Sequence, residues 1–422
     1  MAARMQRRRN GLVPTPAAGP FRGLVGVLGV TQILSWGTLF YSFPILVLPM
    51  GRDLGWSPQR LNGAVSVGLL AMGAASVPMG AWIDHHGGRA VMVLGSVLGA
   101  AGLGLWAWAR TPAWFGLAWI VLGLAMAGTL YEAAFAVLAG AFGPEAPRRI
   151  ATLTFLGGLA STVCFPMTQA LADLLHWRGA LWVLAAVNLL VCAPLHAAVV
   201  PRAPARVGAP SVWAGGEAGR ALVRSRPFWG LALCFPACTL VTSALVFQLV
   251  PLLSGWGLGK AAVLGCMMLF GPLQSGGRMA WVALGRRLRA RGTGLVVVAS
   301  FLTSLLVLLL APHRPVWLGA AVAVLGLGNG LLTIVRGTAV PELVGVGGYG
   351  EVNGLLTLPV MAARACGPAA AAAIWFRTGD PAGMLWALVG CTVVGSLGFL
   401  GAIAARQTPR LTAPAAPPGS AR

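Results

Sequence analysis

Four charged residues lie inside long apolar runs of this 422-residue chain: Glu132, Arg278, Arg336 and Arg364. A charge at mid-membrane costs roughly 2.5 to 3.5 kcal/mol on insertion scales, so such residues are usually paired or face a polar cavity. Helical spacing keeps each in polar or aromatic company. Asn329, Thr333 and Arg336 fall at i, i+4, i+7, and Asn353, Thr357 and Arg364 at i, i+4, i+11; Gln274, Arg278 and Trp281 share a stripe, as do Gly128, Glu132 and Phe135. Runs that are polar along one face fit a water-accessible cavity shared by several helices better than they fit lipid. Three arginines against one glutamate leave that interior positive. The chemistry implied is recognition of an anion, because the planar guanidinium fork can donate two parallel hydrogen bonds to a carboxylate. At about 1.5 Å per residue, Arg364 falls within a few ångströms of the middle of its run, Glu132 and Arg278 roughly 8 Å from it, and Arg336 nearer 12 Å. Arg364 is therefore the first candidate for substrate contact, with Asn353 and Asn329 on the same stripes. Arg278 has the alternative of a structural tie to backbone carbonyls, and Arg336 that of snorkelling to the interface.

The elements that position these residues follow from composition. Hydrophobic residues make up 57% of the chain and charged ones only 9%, against about 25% charged in soluble domains, which excludes a water-soluble enzyme. Twelve apolar runs of crossing length can be counted, about 20 residues being needed for each. The fold expected is an all-α membrane protein: twelve transmembrane helices in two pseudo-symmetric six-helix halves. The divisions expected are a basic tail at 1–22, a six-helix half at 23–200, a linker at 201–227, a second half at 228–405 and a disordered tail at 406–422. The first run, from about Gly23 to Met50, exceeds a signal-peptide core and reads as a retained span. Val121-Leu122-Gly123-Leu124 recurs 203 residues later as Val324-Leu325-Gly326-Leu327, and Gly179-Ala180-Leu181-Trp182 is echoed by Gly383-Met384-Leu385-Trp386, which suggests duplication. Twenty basic residues fall on the N-terminal side of the predicted membrane and seven on the other. That asymmetry places both termini in the cytoplasm.

The formal net charge of +21 arises from arginines that punctuate apolar runs, not from a wettable basic face, so no nucleic-acid partner is expected. The seven cysteines lie in apolar stretches and the five histidines are scattered, so neither a metal site nor a cofactor is expected. No catalytic residue is assigned, since the spans hold one carboxylate, Glu132, and no central histidine for acid-base work. No phosphate-cradling loop is present and Lys260 is the sole lysine. Any transport must draw on a gradient or on exchange.

Gly80-Ala81-Trp82-Ile83-Asp84-His85-His86-Gly87-Gly88-Arg89, between the second and third runs, resembles the signature loop of the major facilitator superfamily, with one extra glycine and without the usual basic residue after Arg89. Leu54-Gly55-Trp56-Ser57, Gly157-Gly158 to Phe165-Pro166, Trp177-Arg178-Gly179 and Gly277-Arg278 resemble the branch of monocarboxylate porters and oxalate/formate-type antiporters. The resemblance implies alternating access, a latch between the Asp84 and Arg89 loop and the start of the eleventh span, and carboxylate contacts at Arg278 and Arg364. It also implies a cavity-lining first span, where Gln32, Trp36, Phe40 and Phe43 form a stripe with Tyr41 at its edge; Gln32 and Trp36 become candidates to face substrate, packing being the alternative. Glu132 and Arg336, one residue out of register in the repeat, are expected to pair across the halves when an inner gate closes, with a proton on Glu132 as the candidate coupling ion. The expected function is a secondary transporter in the cell (inner or plasma) membrane for a small organic anion such as a monocarboxylate. The alternatives are a drug or metabolite exporter of the same fold, or a receptor that binds without moving its ligand.

Overall fold

The computed structural model describes residues 23–202, 224–284, 290–344 and 349–405; the terminal tails, most of the central linker, and the side chains of Asp84 and Asn353 lie outside that set. Every regular element among the described residues is helical, and ten stretches are long and apolar enough to cross a bilayer. We number the helices α1 (Leu24–Leu54), α2 (Pro58–His86), α3 (Arg89–Trp108) and α4 (Pro112–Phe142). The stretch Arg148–Val199 has 52 residues, about 78 Å if straight, against a hydrocarbon core of about 30 Å. It turns at His176, whose φ of 61° and ψ of 161° are not helical, giving α5 (148–175) and α6 (177–199). Then come α7 (Arg226–Gly255), α8 (Lys260–Leu284), α9 (Ala290–Leu310), α10 (Pro315–Ala339), α11 (Tyr349–Thr378) and α12 (Pro381–Ala404). With Gln274, Ser275 and Arg278 along its length, α8 has 25 residues and is not among the ten.

Local chemistry fixes the ends. Prolines open α2, α4, α7, α10 and α12, where the missing N–H goes unneeded. The side chains of Thr111, Ser225 and Asp380 accept hydrogen bonds from the first turns of α4, α7 and α12.

Glycine sets how closely the helices approach. A Cβ on Gly123 would strike the Gly68 carbonyl oxygen, so α4 lies directly on the α2 backbone, and a Cβ on Gly326 would come within 2.7 Å of the Phe270 carbonyl oxygen where α10 lies on α8. These are the glycines of the recurring Val-Leu-Gly-Leu tetrapeptide, and their two targets lie 202 residues apart. Helices from the first and last parts of the chain meet along two seams. In one, the Ala369 N–H of α11 donates to Ser66 Oγ of α2 at 3.3 Å. In the other, Thr162 Oγ1 and Ser275 Oγ cross between α5 and α8 to carbonyls at 3.4 and 3.3 Å.

A π-helical segment, Val340–Val344, follows α10, and two further π-helical turns lie within helices, at Gly37–Tyr41 in α1 and Asn188–Cys192 in α6. Asn188 Nδ2 donates to Thr38 Oγ1 at 2.8 Å and ties one to the other. Neither turn was expected from an apolar pattern read on straight-helix geometry.

Gly123→Val should cost about 1–3 kcal/mol through overpacking against backbone and lower the Tm of the detergent-solubilised protein. Gly390→Ala, where a Cβ meets nothing within 4 Å, should leave it unchanged. Differential scanning fluorimetry checks both.

Candidate functional site

The helices enclose a cavity of about 140 Å³ lined from α1, α4, α5, α7, α8, α10 and α11. All four intramembrane charges reach it: Glu132, Arg278, Arg336 and Arg364 are in its wall, together with Trp36, Asn329 and Thr333.

On α1 the π-turn decides which rings enter. It puts Trp36 and Tyr41, five residues apart, on one face with ring centroids 6.2 Å apart, and Phe40 lies 5.3 Å from each. Phe43 is fully buried instead, 5.3 Å from Trp119 and 5.9 Å from Trp106. Gln32 likewise does not line the cavity. It is fully buried, and its Nε2 donates to the Thr129 carbonyl at 2.6 Å. The expectation that Gln32 faces substrate is thus corrected: although Gln32 and Trp36 share the regular helical stretch Leu24–Trp36, the Gln32 amide turns to the Thr129 carbonyl and holds α4.

That carbonyl sits where α4 breaks. Leu130, at φ −80° and ψ −163°, separates Pro112–Thr129 from Tyr131–Phe142. Interrupting the helix releases backbone groups, and Gln32 satisfies one of them. Glu132 therefore lies in the first turn of a fresh helical segment, where the dipole favours a negative charge. Its Oε1 is 3.8 Å from Nη1 of Arg364, an ion pair that joins α4 to α11, while Oε2 is buried without a hydrogen-bond partner among the described residues. The expected partner was Arg336. In this arrangement of the helices Glu132 faces Arg364 instead, and Arg336 makes no ion pair within 4.0 Å among the described residues.

The three guanidinium groups differ in what holds them. Arg278 is buried, donates from Nε to Thr333 Oγ1 at 3.2 Å and from Nη1 to the Thr154 carbonyl at 2.6 Å, and so links α8 to α10 and α5. Arg364 faces Glu132, and its own carbonyl accepts from Ser243 Oγ of α7 at 2.6 Å. Arg336 is half-buried in the cavity wall rather than extended to the interface. Asn329 accepts at Oδ1 from Thr242 Oγ1 at 3.4 Å. Gly157 earns its place by close approach, since a Cβ there would meet the Tyr131 hydroxyl.

Several wall residues were missed by the sequence reading. Thr239, Thr242, Ser243 and Val246 of α7 line the cavity at i, i+3, i+4, i+7, a stripe that helical spacing makes visible once hydroxyls are counted with charges. Tyr131 adjoins Glu132 and also escaped notice.

Outside the cavity, Arg89 donates from Nε to the Val200 carbonyl at 2.6 Å and caps α6. Asp84 and Asn353 sit on α2 and α11 with side chains outside the described residues. At the opposite end of the bundle, Asp53 accepts from Trp177 Nε1 at 3.1 Å and pairs with Arg178, whose guanidinium lies 4.1 Å from the Trp177 ring. The motif at 177–179 thus bonds the carboxylate of Asp53, the residue that immediately precedes the motif at 54–57 and that sequence reasoning had left unassigned. Nearby, Lys260 Nζ of α8 bonds Asp173 of α5 at 2.8 Å. Between this end and the cavity, Phe40 closes on Phe247 at 4.9 Å and Tyr41 on Phe165 at 5.3 Å.

A helical bundle of this kind, with a charged cavity bounded by discontinuous helices, is a membrane transporter fold, and the Major Facilitator Superfamily profile matches residues 28–368. The chain belongs to that family and is an integral membrane protein. It is 28% identical over 400 residues to monocarboxylate transporter 11 of Mus musculus, covering 87% of this chain and 85% of that one. Among solved structures, a bacterial homolog of the human lysosomal transporter Spinster, in an inward-facing and occupied conformation, superposes with a TM-score of 0.72 at 13% identity, over 92% of this chain and 97% of that one. The nucleoside transporter NupG superposes at 0.68 with 15% identity, over 91% and 100%.

The differing bonds of the arginines separate structural from ligand-facing roles. Arg278→Gln should lower Tm clearly, because it removes the donors that join three helices. Arg336→Gln should leave Tm unchanged or raise it, because it removes a charge with no ion-pair partner. Thermal unfolding of both variants without substrate checks the contrast.

Proposed function

We propose that the protein is a secondary transporter working by alternating access on a small organic anion, a monocarboxylate in the first instance. One observation carries the reading: the cavity holds three guanidinium groups and a single carboxylate, and the Glu132–Arg364 pair leaves Arg336 without an ion partner among the described residues, in a wall that also holds hydroxyl and amide groups. A bound carboxylate would lie between Arg336 and Arg364, within reach of Asn329, while Arg278 holds the wall together. The name of the mouse relative, monocarboxylate transporter 11, agrees with this chemistry.

The architecture that supports rocking is two six-helix halves, 23–200 and 228–405, joined by the linker 201–227 between tails 1–22 and 406–422. Dividing Arg148–Val199 at His176 and adding α8 brings the ten membrane-length stretches to twelve, and the paired Gly123 and Gly326 packing supports duplication. The basic-residue asymmetry puts both termini in the cytoplasm of a cell whose inner or plasma membrane houses the protein. On that orientation the Asp173–Lys260 bridge and the Phe40–Phe247 contact close the outer end. Glu132 then pairs with Arg364 while the outer end is shut, and passes to Arg336 as the cytoplasmic ends of α4 and α10 come together. Asp84 and Arg89 latch that second state, and Asn353 near the start of α11 belongs to the same inner region. A proton is the coupling ion this scheme accommodates, taken up by Glu132 when an anion displaces it from Arg364.

Counterflow of labelled pyruvate in proteoliposomes tests the reading. Arg336→Gln and Arg364→Gln should each reduce it by about thirtyfold to a hundredfold, the loss of a bidentate contact of roughly 2–3 kcal/mol, and Arg364→Lys should restore only part, since lysine lacks the fork. A wild-type protein that moves neutral or cationic compounds and ignores carboxylates would make it an exporter of another class. Binding without any flux would make it a receptor.

The gate has its own readout. With Asp173→Cys and Lys260→Cys joined by a bifunctional thiol reagent, flux should stop while substrate binding from the cytoplasmic side persists. Flux that continues through the cross-linked protein would remove this pair from the gating scheme.

A further inference from the structure

The two sides of the cavity differ in kind. From α1 and α4 come rings, Trp36, Phe40, Tyr41 and Tyr131, with the Glu132 carboxylate beside the last of them. From α7, α10 and α11 come hydroxyl, amide and guanidinium groups, Thr242, Ser243, Asn329, Arg336 and Arg364 among them. The rings are fixed against one another before any ligand arrives. Trp36 stands 5.2 Å from Tyr131, 5.3 Å from Phe40 and 6.2 Å from Tyr41, and Tyr131 is stacked on Phe135 at 5.2 Å with their planes 16° apart. Trp36 and Tyr41 remain half-exposed to the cavity.

A short aliphatic acid placed at the arginines would leave this wall uncovered. That arrangement forfeits apolar burial. The ligand that answers both walls is planar and apolar at one end and anionic at the other.

Building on the anion-transport reading above, we infer that the preferred substrate class is an aromatic monocarboxylate, such as a 2-oxo acid that carries an aryl group. Its ring lies against Trp36 and Tyr131, and its carboxylate lies toward Arg336 and Arg364. Trp36 is a specificity-determining residue in this arrangement, acting on the part of the substrate that pyruvate lacks. Ring contacts of the edge and offset kinds suit it better than an aliphatic wall would.

Phenylpyruvate and pyruvate are the matched probes, because they share the 2-oxo carboxylate and differ by the ring. Saturable binding to the purified protein, measured by isothermal titration calorimetry, should favour phenylpyruvate at least about tenfold, or about 1.4 kcal/mol. Trp36→Leu should bring the ratio below about threefold while pyruvate affinity changes little. Trp36→Phe, which keeps a ring and controls for folding, should retain most of the preference. Arg336→Gln should remove saturable binding of both acids, which separates the site from partition into the micelle.

Equal affinity for the two acids, or a preference that survives Trp36→Leu, would overturn the aromatic assignment and leave the monocarboxylate reading standing. Saturable binding of neither acid would overturn both.

Discussion

A single carboxylate stands among three guanidinium groups in the interior of this protein, and most of the bundle's irregular features serve to keep it there. Glu132 cannot be isolated in hydrocarbon without a large cost, and neither can Arg278, Arg336 or Arg364. Polar surface must therefore be brought to them. The break of α4 at Leu130 supplies a helix N-terminus beneath Glu132, Arg364 supplies an opposite charge 3.8 Å away, and the Thr154 carbonyl and Thr333 hydroxyl take up Arg278. Because Arg278 reaches from α8 to α5 and Glu132 reaches from α4 to α11, these interactions also join the early helices to the late ones. The requirement to partner charge thus holds the assembly together at its centre, where purely apolar helices would gain little from one another in lipid.

Departures from regular helix place the side chains that charge alone does not. The π-turn at Gly37–Tyr41 rotates Tyr41 into line with Trp36 and sends Phe43 into the core beside Trp106 and Trp119. Such a turn gives up some hydrogen-bond geometry, and here it is braced from α6 by Asn188, itself at the start of a second π-turn. Gln32 plays the same supporting part for α4. These two amides are fully buried, and each is bonded to a neighbouring helix.

Membrane character, the all-helical bundle and the four cavity charges were legible in the sequence for a common physical reason. Length and apolarity are dictated by the bilayer, and a charged residue within a span has few places to go. The stripes at Asn329, Thr333 and Arg336 and at Gln274 and Arg278 survive in the structure because α8 and α10 keep regular geometry there. Gln32 was misread because its spacing from Trp36 carries no trace of the break in α4 that leaves the Thr129 carbonyl open to its amide. The partner of Glu132 was not legible either. Repeat register sets which helices are equivalent, whereas the distance between Glu132 and Arg364 depends on how far the bundle is tilted. Asp53 escaped because Arg178 had been counted with the topology signals, and its bond to Asp53 across 125 residues leaves no local trace.

The same pairing that partners Glu132 with Arg364 limits how tightly the cavity can hold an anion. If Arg336 and Arg364 both faced an approaching carboxylate with no other partner, the gain would be large and release slow. Glu132 already occupies one of them, so a substrate must displace a carboxylate to gain its second contact, and the net gain is the difference between two similar bonds. A transporter needs that balance, because its ligand must enter from one side and leave on the other. Removing the charge of Glu132, by proton or by mutation, tips the balance toward retention. Glu132→Gln should therefore bind phenylpyruvate more tightly than the unmodified protein while exchanging it more slowly, a combination that equilibrium titration and counterflow measured on one preparation can establish. Weaker binding in that variant would mean that Glu132 holds Arg364 in the geometry the substrate requires, and that the two carboxylates cooperate where competition is proposed.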